Sequence, residues 1–222
     1  MMNKRKASRK TFLRFAIFAV FLFSIPNVGY ANLIDLTYGT GAGSFELGPH
    51  TGASFDTILP ATTTITGWTV GGPGDGVNWL TEPYFNADDG LLSVDLQNFT
   101  QSSIRTEIPT VTGLVYELSF SAASVTGFTN TGIVSAGDLV GQAFLAPFSA
   151  THAAQVYDVF TFFFAATGTT TTIEFESTGT ETAYGPAIDS VSVAPIPEPA
   201  TMLLLGSGLI GLAGFRRRFR KR

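Results

Sequence analysis

Side chains that could bind a sugar are concentrated in one stretch of this chain. Asp75, Asn78, Trp79 and Tyr84 lie within ten residues of one another, and Trp68 precedes them. An aromatic face covers the apolar side of a pyranose ring, while amide and carboxylate groups bind its hydroxyls. Because tryptophan is usually buried and Trp68 falls within a strand pattern, we expect Trp68 in the core. Asp75, Asn78, Trp79 and Tyr84 are the candidate glycan-binding residues.

The sequence contains no recognisable catalytic motif. Its two histidines, His50 and His152, lie in separate polar segments and cysteine is absent, so neither a Ser-His-Asp nor a Cys-His arrangement can be assembled. The glycine-rich run 71–76 carries no lysine and opens no helix, which predicts a turn and not a phosphate-binding loop. A pair of glycosidase carboxylates stays open, because their separation in space cannot be read from the sequence. We predict a protein that is not an enzyme.

Charge is distributed very unevenly along the chain. Of 13 Lys and Arg residues, 12 lie in the two ends, and Arg105 is the one exception. All 17 Asp and Glu residues fall between Asp35 and Glu198, so this stretch carries a net charge of −16 although the whole chain has only −4. Binding to nucleic acid requires several Lys or Arg contacts to phosphates. The body therefore does not have the composition of a nucleic-acid-binding protein.

The N-terminus has the pattern of a secretory signal. A basic stretch at residues 4–10 precedes an apolar run at residues 12–25, and Gly29 and Ala31 are the small residues that a signal peptidase requires at its −3 and −1 positions. An uncleaved anchor is the alternative, but the run is shorter than the ~20 apolar residues of a spanning helix. We predict that residues 1–31 direct export through the Sec pathway and that signal peptidase removes them.

The C-terminus, residues 195–222, combines a proline-rich turn, an apolar run and a basic end. Pro197, Glu198 and Pro199 precede the apolar residues 201–215, and residues 216–222 contain six basic side chains. As a helix the apolar run would be about 22 Å long at ~1.5 Å per residue, which is short for a hydrocarbon core of ~30 Å. The basic end favours the cytoplasmic side of the inner membrane. We predict a short transmembrane helix with the acidic body outside.

The body, residues 32–194, alternates apolar and polar side chains with a period of two. Tyr116, Leu118 and Phe120 alternate with polar residues, and no long amphipathic helix is apparent. Many short strands without helices predict an all-β fold, a single β-sandwich of the jelly-roll type. The strands expected besides the one around Leu118 cover residues 33–37, 65–70, 91–96, 104–108, 156–165, 173–176 and 188–193. The aromatic run 159–164 is apolar on both faces, which favours a central strand over a ligand groove.

The C-terminal pattern resembles a known sorting signal. Pro197-Glu198-Pro199, an apolar helix and an arginine-rich end are similar to the PEP-CTERM signal of Gram-negative bacteria that make exopolysaccharide. The resemblance implies that an exosortase, a membrane transpeptidase-like enzyme, recognises and processes this segment. Pro197, Glu198 and Pro199 are then a recognition site for another enzyme. A plain membrane anchor is the alternative.

The body resembles the DUF642 or choice-of-anchor C group, whose domains are galactose-binding-like jelly rolls. The segments that carry the resemblance occur in the order Gly43-Ser44-Phe45-Glu46, Gly67-Trp68-Thr69-Val70, Val77-Asn78-Trp79, Asp88-Asp89-Gly90, Ser93-Val94-Asp95-Leu96 and Gly185-Pro186-Ala187-Ile188-Asp189-Ser190-Val191-Ser192-Val193. The segment around Arg105 departs from the family pattern. The resemblance implies the fold and an affinity for polysaccharide.

The same resemblance implies a structural calcium ion. Related carbohydrate-binding jelly rolls hold Ca²⁺ between an early Phe-Glu segment and an aspartate of the last strand, which correspond here to Glu46 and Asp189. Calcium prefers several oxygen ligands, and an acidic body without disulfides would gain from an ion between its first and last strands. The alternative is that Glu46 and Asp189 cap turns or face water.

Together these features predict an exported protein that acts in the cell envelope, at the cell surface or in the extracellular matrix. The leading hypothesis is a β-sandwich without enzymatic activity that is sorted through its C-terminus and binds exopolysaccharide, as in a biofilm. Two alternatives stay open. One is a structural surface protein that is glycosylated on its many Ser and Thr residues and has no ligand groove, and the other is a secreted glycan hydrolase.

Overall fold

A computed structural model describes residues 31–125, 130–179, 183–196 and 207–208. The predicted signal helix, the sorting residues Pro197, Glu198 and Pro199 and nearly all of the predicted C-terminal helix lie outside these ranges. Within them, no helix is long and apolar enough to cross a membrane.

The described part of the body consists of strands, one short α-helix and a 3-10 turn. Helix α1 covers Leu33–Tyr38, and the 3-10 turn covers His152–Ala154. The strands are β1 Phe55–Ile58, β2 Thr69–Gly71, β3 Val77–Thr81, β4 Leu92–Asp95, β5 Ser103–Pro109, β6 Val115–Ser124, β7 Asn130–Ala136, β8 Leu139–Ala146, β9 Asp158–Ala165, β10 Thr170–Ser177 and β11 Pro186–Pro195.

The strands form two antiparallel sheets. The first has six strands in the order β1-β3-β4-β11-β6-β9, and the second has five in the order β2-β5-β10-β7-β8. The prediction of an all-β sandwich is confirmed. Strand β11 is the last in the sequence but lies inside its sheet, hydrogen-bonded to β4 on one side and β6 on the other.

Aromatic side chains fill the space between the sheets. Trp68, Phe120 and Phe175 are buried there, and the ring centroids of Phe120 and Phe175 are 4.8 Å apart. Trp68 is in the core, as predicted, and its indole N–H donates to the Ala42 carbonyl at 2.8 Å. Burial of such large rings is the main stabilising term for a body that has no disulfide.

Two elements differ from the sequence-based expectation. Residues 33–37 were expected to form a strand but belong to α1, because the Asn32 side chain caps the helix by accepting from the Ile34 N–H at 3.1 Å. The aromatic run 159–164 was expected in a central strand, but β9 is at the edge of the six-stranded sheet. Its alternate residues Val159 and Phe163 point away from the core and are 71% and 55% exposed.

Asn32 also connects the start of the body to its last strand. Its side-chain Nδ2 donates to the Val191 carbonyl at 2.8 Å, and its Oδ1 accepts from the Val193 N–H at 3.1 Å. Val191 lies within the irregularity in β11 between Asp189 and Ser192, and Val193 directly follows it. The side chain thus satisfies backbone groups at the point where the ladder to β6 is interrupted.

Trp79→Ala is expected to destabilise the protein by about 3–5 kcal/mol, because it removes a fully buried indole and leaves a cavity. The same change also leaves the Phe45 carbonyl without the indole donor, which lies 3.1 Å away. Denaturant unfolding of the purified protein measures the loss. Trp79→Phe keeps most of the ring and should lose less, and a loss below about 1 kcal/mol for the alanine variant would contradict this packing.

Candidate functional site

The candidate site lies on the outer face of the six-stranded sheet, away from the core between the sheets. Asn78, Asp95 and Ala187 occupy neighbouring strands and are paired across the sheet in one row. Side chains alternate between faces along each strand. Since Trp79, Val94 and Ile188 belong to the core, the row beside them faces outward.

A pocket of about 130 Å³ opens above this row. Asn78 and Asp95 contribute polar side chains to the lining of this pocket, and Leu80 contributes an apolar one. The rest of its described lining is mostly aromatic and consists of Phe55, Tyr84, Phe85, Asn98, Phe99, Val125, His152, Ala183 and Tyr184. A concave site with aromatic walls and a few polar groups is typical of small-ligand binding.

Three of the pocket's aromatic rings are open to solvent. Phe55, Tyr84 and Phe99 are 45%, 50% and 63% exposed. Phe85 beneath them is buried, with ring centroids 4.9 Å from Tyr84 and 6.3 Å from Phe55. Tyr84 and Phe55 therefore rest on a packed base, which limits the entropy that they would lose on contact with a ligand.

Asp95 is buried in the pocket with one of its oxygens unpaired. The residue is 1% exposed, and its Oδ1 accepts from the N–H groups of Gln97 and Gly185, each at 3.0 Å. No described residue donates to its Oδ2. Burial raises the pKa of Asp95 well above its usual range, although the two N–H groups act in the opposite direction. An unpaired oxygen on a buried side chain is an acceptor left for a bound molecule.

His152 forms part of the pocket wall from the other side. Its ring stacks on Phe85 with centroids 4.7 Å apart and also contacts Tyr84 and Tyr184. The Nε2 atom is buried and has no hydrogen-bond partner in the described part of the chain. Burial lowers the pKa of His152, so the neutral imidazole is favoured at neutral pH.

Two carboxylates hold the loop that carries Tyr84 and Phe85 against the sheet. Glu46 Oε1 accepts from the N–H groups of Leu91 and Leu92 at 2.8 and 2.7 Å. On the other side, Asp189 Oδ2 accepts from the N–H groups of Asp88 and Asp89 at 2.8 and 3.0 Å. Residues 82–91 are thus fixed at their C-terminal end by charge-assisted hydrogen bonds to backbone N–H groups.

A third carboxylate holds the loop that carries Asn98 and Phe99. Asp75 Oδ1 accepts from the N–H groups of Phe99 and Thr100 at 3.2 and 3.1 Å and from the Thr100 hydroxyl at 2.8 Å. Its Oδ2 accepts from the Asn98 side chain at 3.3 Å. Desolvation opposes ionisation of Asp75, but these hydrogen bonds prevail and lower its pKa. Asp75 therefore positions one wall of the pocket.

The pocket lies near the start of β11, whereas the chain leaves the sheet at the other end of this strand. Asp95 is paired with Ala187 near the start of β11, whereas the sorting segment follows Pro195 at its end. A strand of 10 residues at ~3.3 Å each is about 30 Å long. The Ile196 N–H still donates to the Val115 carbonyl at 2.9 Å, so regular pairing continues almost to Pro197.

Two protein-family models match different parts of this chain. Residues 41–194, more than two thirds of the sequence, match the family described as "Protein of unknown function (DUF642)". The chain belongs to the DUF642 family. Residues 195–218 match the PEP-CTERM protein-sorting motif, so this DUF642 protein has the signal of an exported protein that an exosortase processes at the membrane of a Gram-negative bacterium. No curated protein is significantly similar to it.

Solved structures with related folds are distant in sequence. A family 35 carbohydrate binding module from Clostridium thermocellum is 11% identical, with 62% of this chain and 97% of that chain covered and a TM-score of 0.44. The Stig cyclase Fisc from Fischerella sp. TAU is 16% identical, with 71% and 96% covered and a TM-score of 0.46. Isomalto-dextranase from Arthrobacter globiformis T6, complexed with panose, is 16% identical with a TM-score of 0.42. The match covers 57% of this chain and only 23% of that enzyme.

The predicted glycan-binding residues have different positions in the DUF642 domain. Tyr84 and Asn78 line the pocket. Trp79 was a wrong choice, because it is fully buried between the sheets and its indole N–H donates to the Phe45 carbonyl. Asp75 lies behind the pocket wall and touches the loop instead of the cavity.

Several pocket residues were missed from the sequence. Phe55 and Phe99 lie in short polar segments without a recognisable pattern, and Asp95 looked like part of a family motif. The pairing of β4 with β3 was the missing information, because it places Asp95 beside Asn78. An aspartate that follows Leu92 and Val94 in a short strand, as in Leu92-Ser93-Val94-Asp95, was the one signal that could have indicated a buried carboxylate.

The two predicted calcium ligands both act on the loop that ends at Leu92. Glu46 Oε1 and Asp189 Oδ2 each accept from two backbone N–H groups, and Asp189 Oδ1 accepts from the Ser190 N–H at 2.6 Å. Among the residues that the structure describes, no group of three His, Cys, Asp or Glu side chains could hold a metal ion. The calcium site stays a prediction.

Asp189 should make the stability of the domain depend on pH. Burial, reinforced by the Asp88 carboxylate, raises its pKa to about 7 despite three backbone N–H donors. In the unfolded chain an aspartate ionises near ~3.9. Between these two pH values the folded protein keeps a proton on Asp189 that the unfolded chain has released. The stability that this proton contributes is fully present at acid pH and is lost as the pH rises through about 7.

Asp189→Asn cannot titrate at this position. We therefore expect the wild type to lose about 1–3 kcal/mol of unfolding free energy relative to this variant between pH 5 and pH 7.5. Denaturant unfolding at several pH values measures it. Glu117→Gln, an exposed change on β6, is the control and should give a constant difference. A constant difference for Asp189→Asn as well would contradict proton uptake at this site.

Proposed function

We propose that this DUF642 domain binds a glycan of the cell surface or extracellular matrix through the aromatic pocket on its outer face. The observation that carries the proposal is the combination of the exposed rings Phe55, Tyr84 and Phe99 with the polar groups of Asn78 and Asp95 in one small concavity. We propose exopolysaccharide as this glycan, because the C-terminal pattern resembles the sorting signal of bacteria that make it.

The aromatic rim supports this function because sugars have apolar faces. The C–H groups on one side of a pyranose pack on an aromatic ring, and such contacts displace water from both surfaces. Three large rings exposed around a single opening are unusual for a surface that has no ligand, since exposed apolar patches mark interaction sites.

The polar groups of Asn78 and Asp95 supply hydrogen bonds that would orient a bound sugar. Asn78 Oδ1 is engaged by the Thr57 hydroxyl at 3.0 Å, which fixes the orientation of its amide. Asp95 is fixed by two backbone N–H groups and keeps Oδ2 for a ligand. Groups held in place by the protein bind a sugar hydroxyl without a further cost of ordering.

We further propose that the domain is not an enzyme. Hydrolysis of a glycosidic bond requires two carboxyl groups on either side of the bond, about 5–10 Å apart. Asp95 is the single carboxylate among the described residues that line the pocket. His152 is held in its neutral form, and the described lining contains no Ser or Thr hydroxyl that it could activate as a nucleophile.

Phe99→Ala and Tyr84→Ala should each lower affinity for a bound glycan about ten-fold, because each removes an exposed stacking surface. A glycan array on the wild type identifies a ligand, and isothermal titration calorimetry compares the variants. Phe163→Ala is the matched control, because Phe163 is 55% exposed on β9 and does not line the pocket. Equal losses for Phe99→Ala and Phe163→Ala, or no glycan bound by the wild type, would contradict the proposal.

Sorting to the surface is tested by the mass of the mature protein. In cells with the exosortase we expect an intact mass that ends near Pro197, Glu198 and Pro199, and in cells without it a mass that retains residues 216–222. Mass spectrometry of envelope and culture medium distinguishes the two. An unprocessed tail in both strains would show a plain membrane anchor, and added mass from glycosylation without glycan binding would favour a structural coat protein.

A further inference from the structure

We infer that the pocket recognises one neutral sugar ring, and that it discriminates against uronic acids and other anionic sugars. This inference rests on the proposed glycan-binding function and names its ligand class. It is carried by three features of the site, namely its volume, the chemistry of Asp95 and the absence of Lys and Arg from the described lining.

The volume of the pocket suits a single ring. Pockets for drug-sized ligands measure about 300–1,000 Å³, whereas this pocket encloses about 130 Å³. The exposed rings of Phe55, Tyr84 and Phe99 are part of its lining. A glycan chain would therefore insert one residue, at a chain end or a branch, and leave the rest in solvent.

Asp95 selects for a hydroxyl group. A hydroxyl both donates and accepts, so it can pair with Oδ2 whether the carboxyl group is ionised or protonated. This matters at Asp95, because its burial favours the protonated form. A ligand carboxylate can only accept, and it would lose its hydrogen bond and be repelled whenever Asp95 ionises.

No cation near the pocket can compensate an anionic ligand. Arg105 is the only Lys or Arg in the part of the chain that the structure describes, and it lies on β5 in the other sheet, paired with Glu174. Carboxylates surround the loops of the pocket, with Asp75 behind one wall and Asp189 beneath another loop. A desolvated anion without a partner is strongly disfavoured in such a site.

The test uses matched pairs of methyl glycosides that differ only at C6, namely those of glucose and glucuronic acid, galactose and galacturonic acid, and mannose and mannuronic acid. Ligand-observed NMR titration of the full-length protein at pH 7.5 gives the affinity of each. We expect at least one neutral member to bind, and its acid to bind about ten-fold or more weakly. Glucosamine is included as a cationic probe.

Two variants should both make the pocket more tolerant of an anion, because one removes a carboxyl group that can ionise and the other adds a cation. Asp95→Asn keeps an acceptor for the Gln97 and Gly185 N–H groups and should reduce the preference for the neutral sugar. Phe99→Lys places a cation on the exposed rim, where folding is not at risk, and should shift the acid-to-neutral affinity ratio about three- to ten-fold toward the acid. Phe163→Lys adds the same charge far from the pocket and should leave the ratio unchanged.

The outcomes separate this inference from the proposed function. Three outcomes would overturn the neutral single-ring inference and leave glycan binding intact. The first is an acid that binds as tightly as its neutral partner, and the second is glucosamine that binds more tightly than glucose. The third is an affinity that rises about ten-fold with each added sugar. The same conclusion would follow if a polysaccharide binds but none of the three neutral glycosides does. Failure of every glycan would overturn the proposed function itself.

Discussion

Backbone amides take the place of basic side chains as partners for the carboxylates of this domain. Between Asp35 and Glu198 the chain has one arginine for 17 acidic residues, so ion pairs cannot satisfy them. The one pair within 4 Å among the described residues joins His50 to Asp56 at 3.7 Å. A buried carboxylate without a partner is costly, and backbone N–H groups in loops are the donors that remain. Carboxylates that accept from loop N–H groups are Asp35, Glu46, Asp56, Asp75, Asp95, Asp138 and Asp189.

The pocket is a product of this constraint. Two of the loops that contribute a wall are held by acidic side chains from elsewhere in the chain, and the hydrogen bonds of Glu46, Asp75 and Asp189 act directly on their backbone. Loops fixed in this way can present exposed rings such as Tyr84 and Phe99 without a regular strand or helix beneath every residue. Asp95 Oδ1 likewise accepts from two backbone N–H groups. Its Oδ2 accepts from no described residue, and this oxygen gives the pocket a hydrogen-bond acceptor.

The sequence predicted the architecture better than the site. Alternation with a period of two identified β6, β10 and β11, because one face of each strand is buried and the other is polar. It failed where local chemistry or position in the sheet decides the outcome. The cap at Asn32 turns an apolar segment into α1, and nothing local shows that β9 lies at an edge. Of the two aromatics predicted for the site, Tyr84 lines the pocket and Trp79 is buried in the core, because Trp79 belongs to β3 whereas Tyr84 lies in the loop that follows it.

The course of β11 determines how the domain carries mechanical load. The strand begins beside the pocket and ends at the sorting segment, and it is hydrogen-bonded to β4 and β6. Hydrogen bonds in an antiparallel ladder are perpendicular to the strands. A pull between a ligand in the pocket and an attachment at Pro197 would act along the strand and would load these bonds together in shear instead of opening them one after another. If the domain binds a glycan as proposed, a tether at the end of β11 would let it hold that ligand against a pulling force.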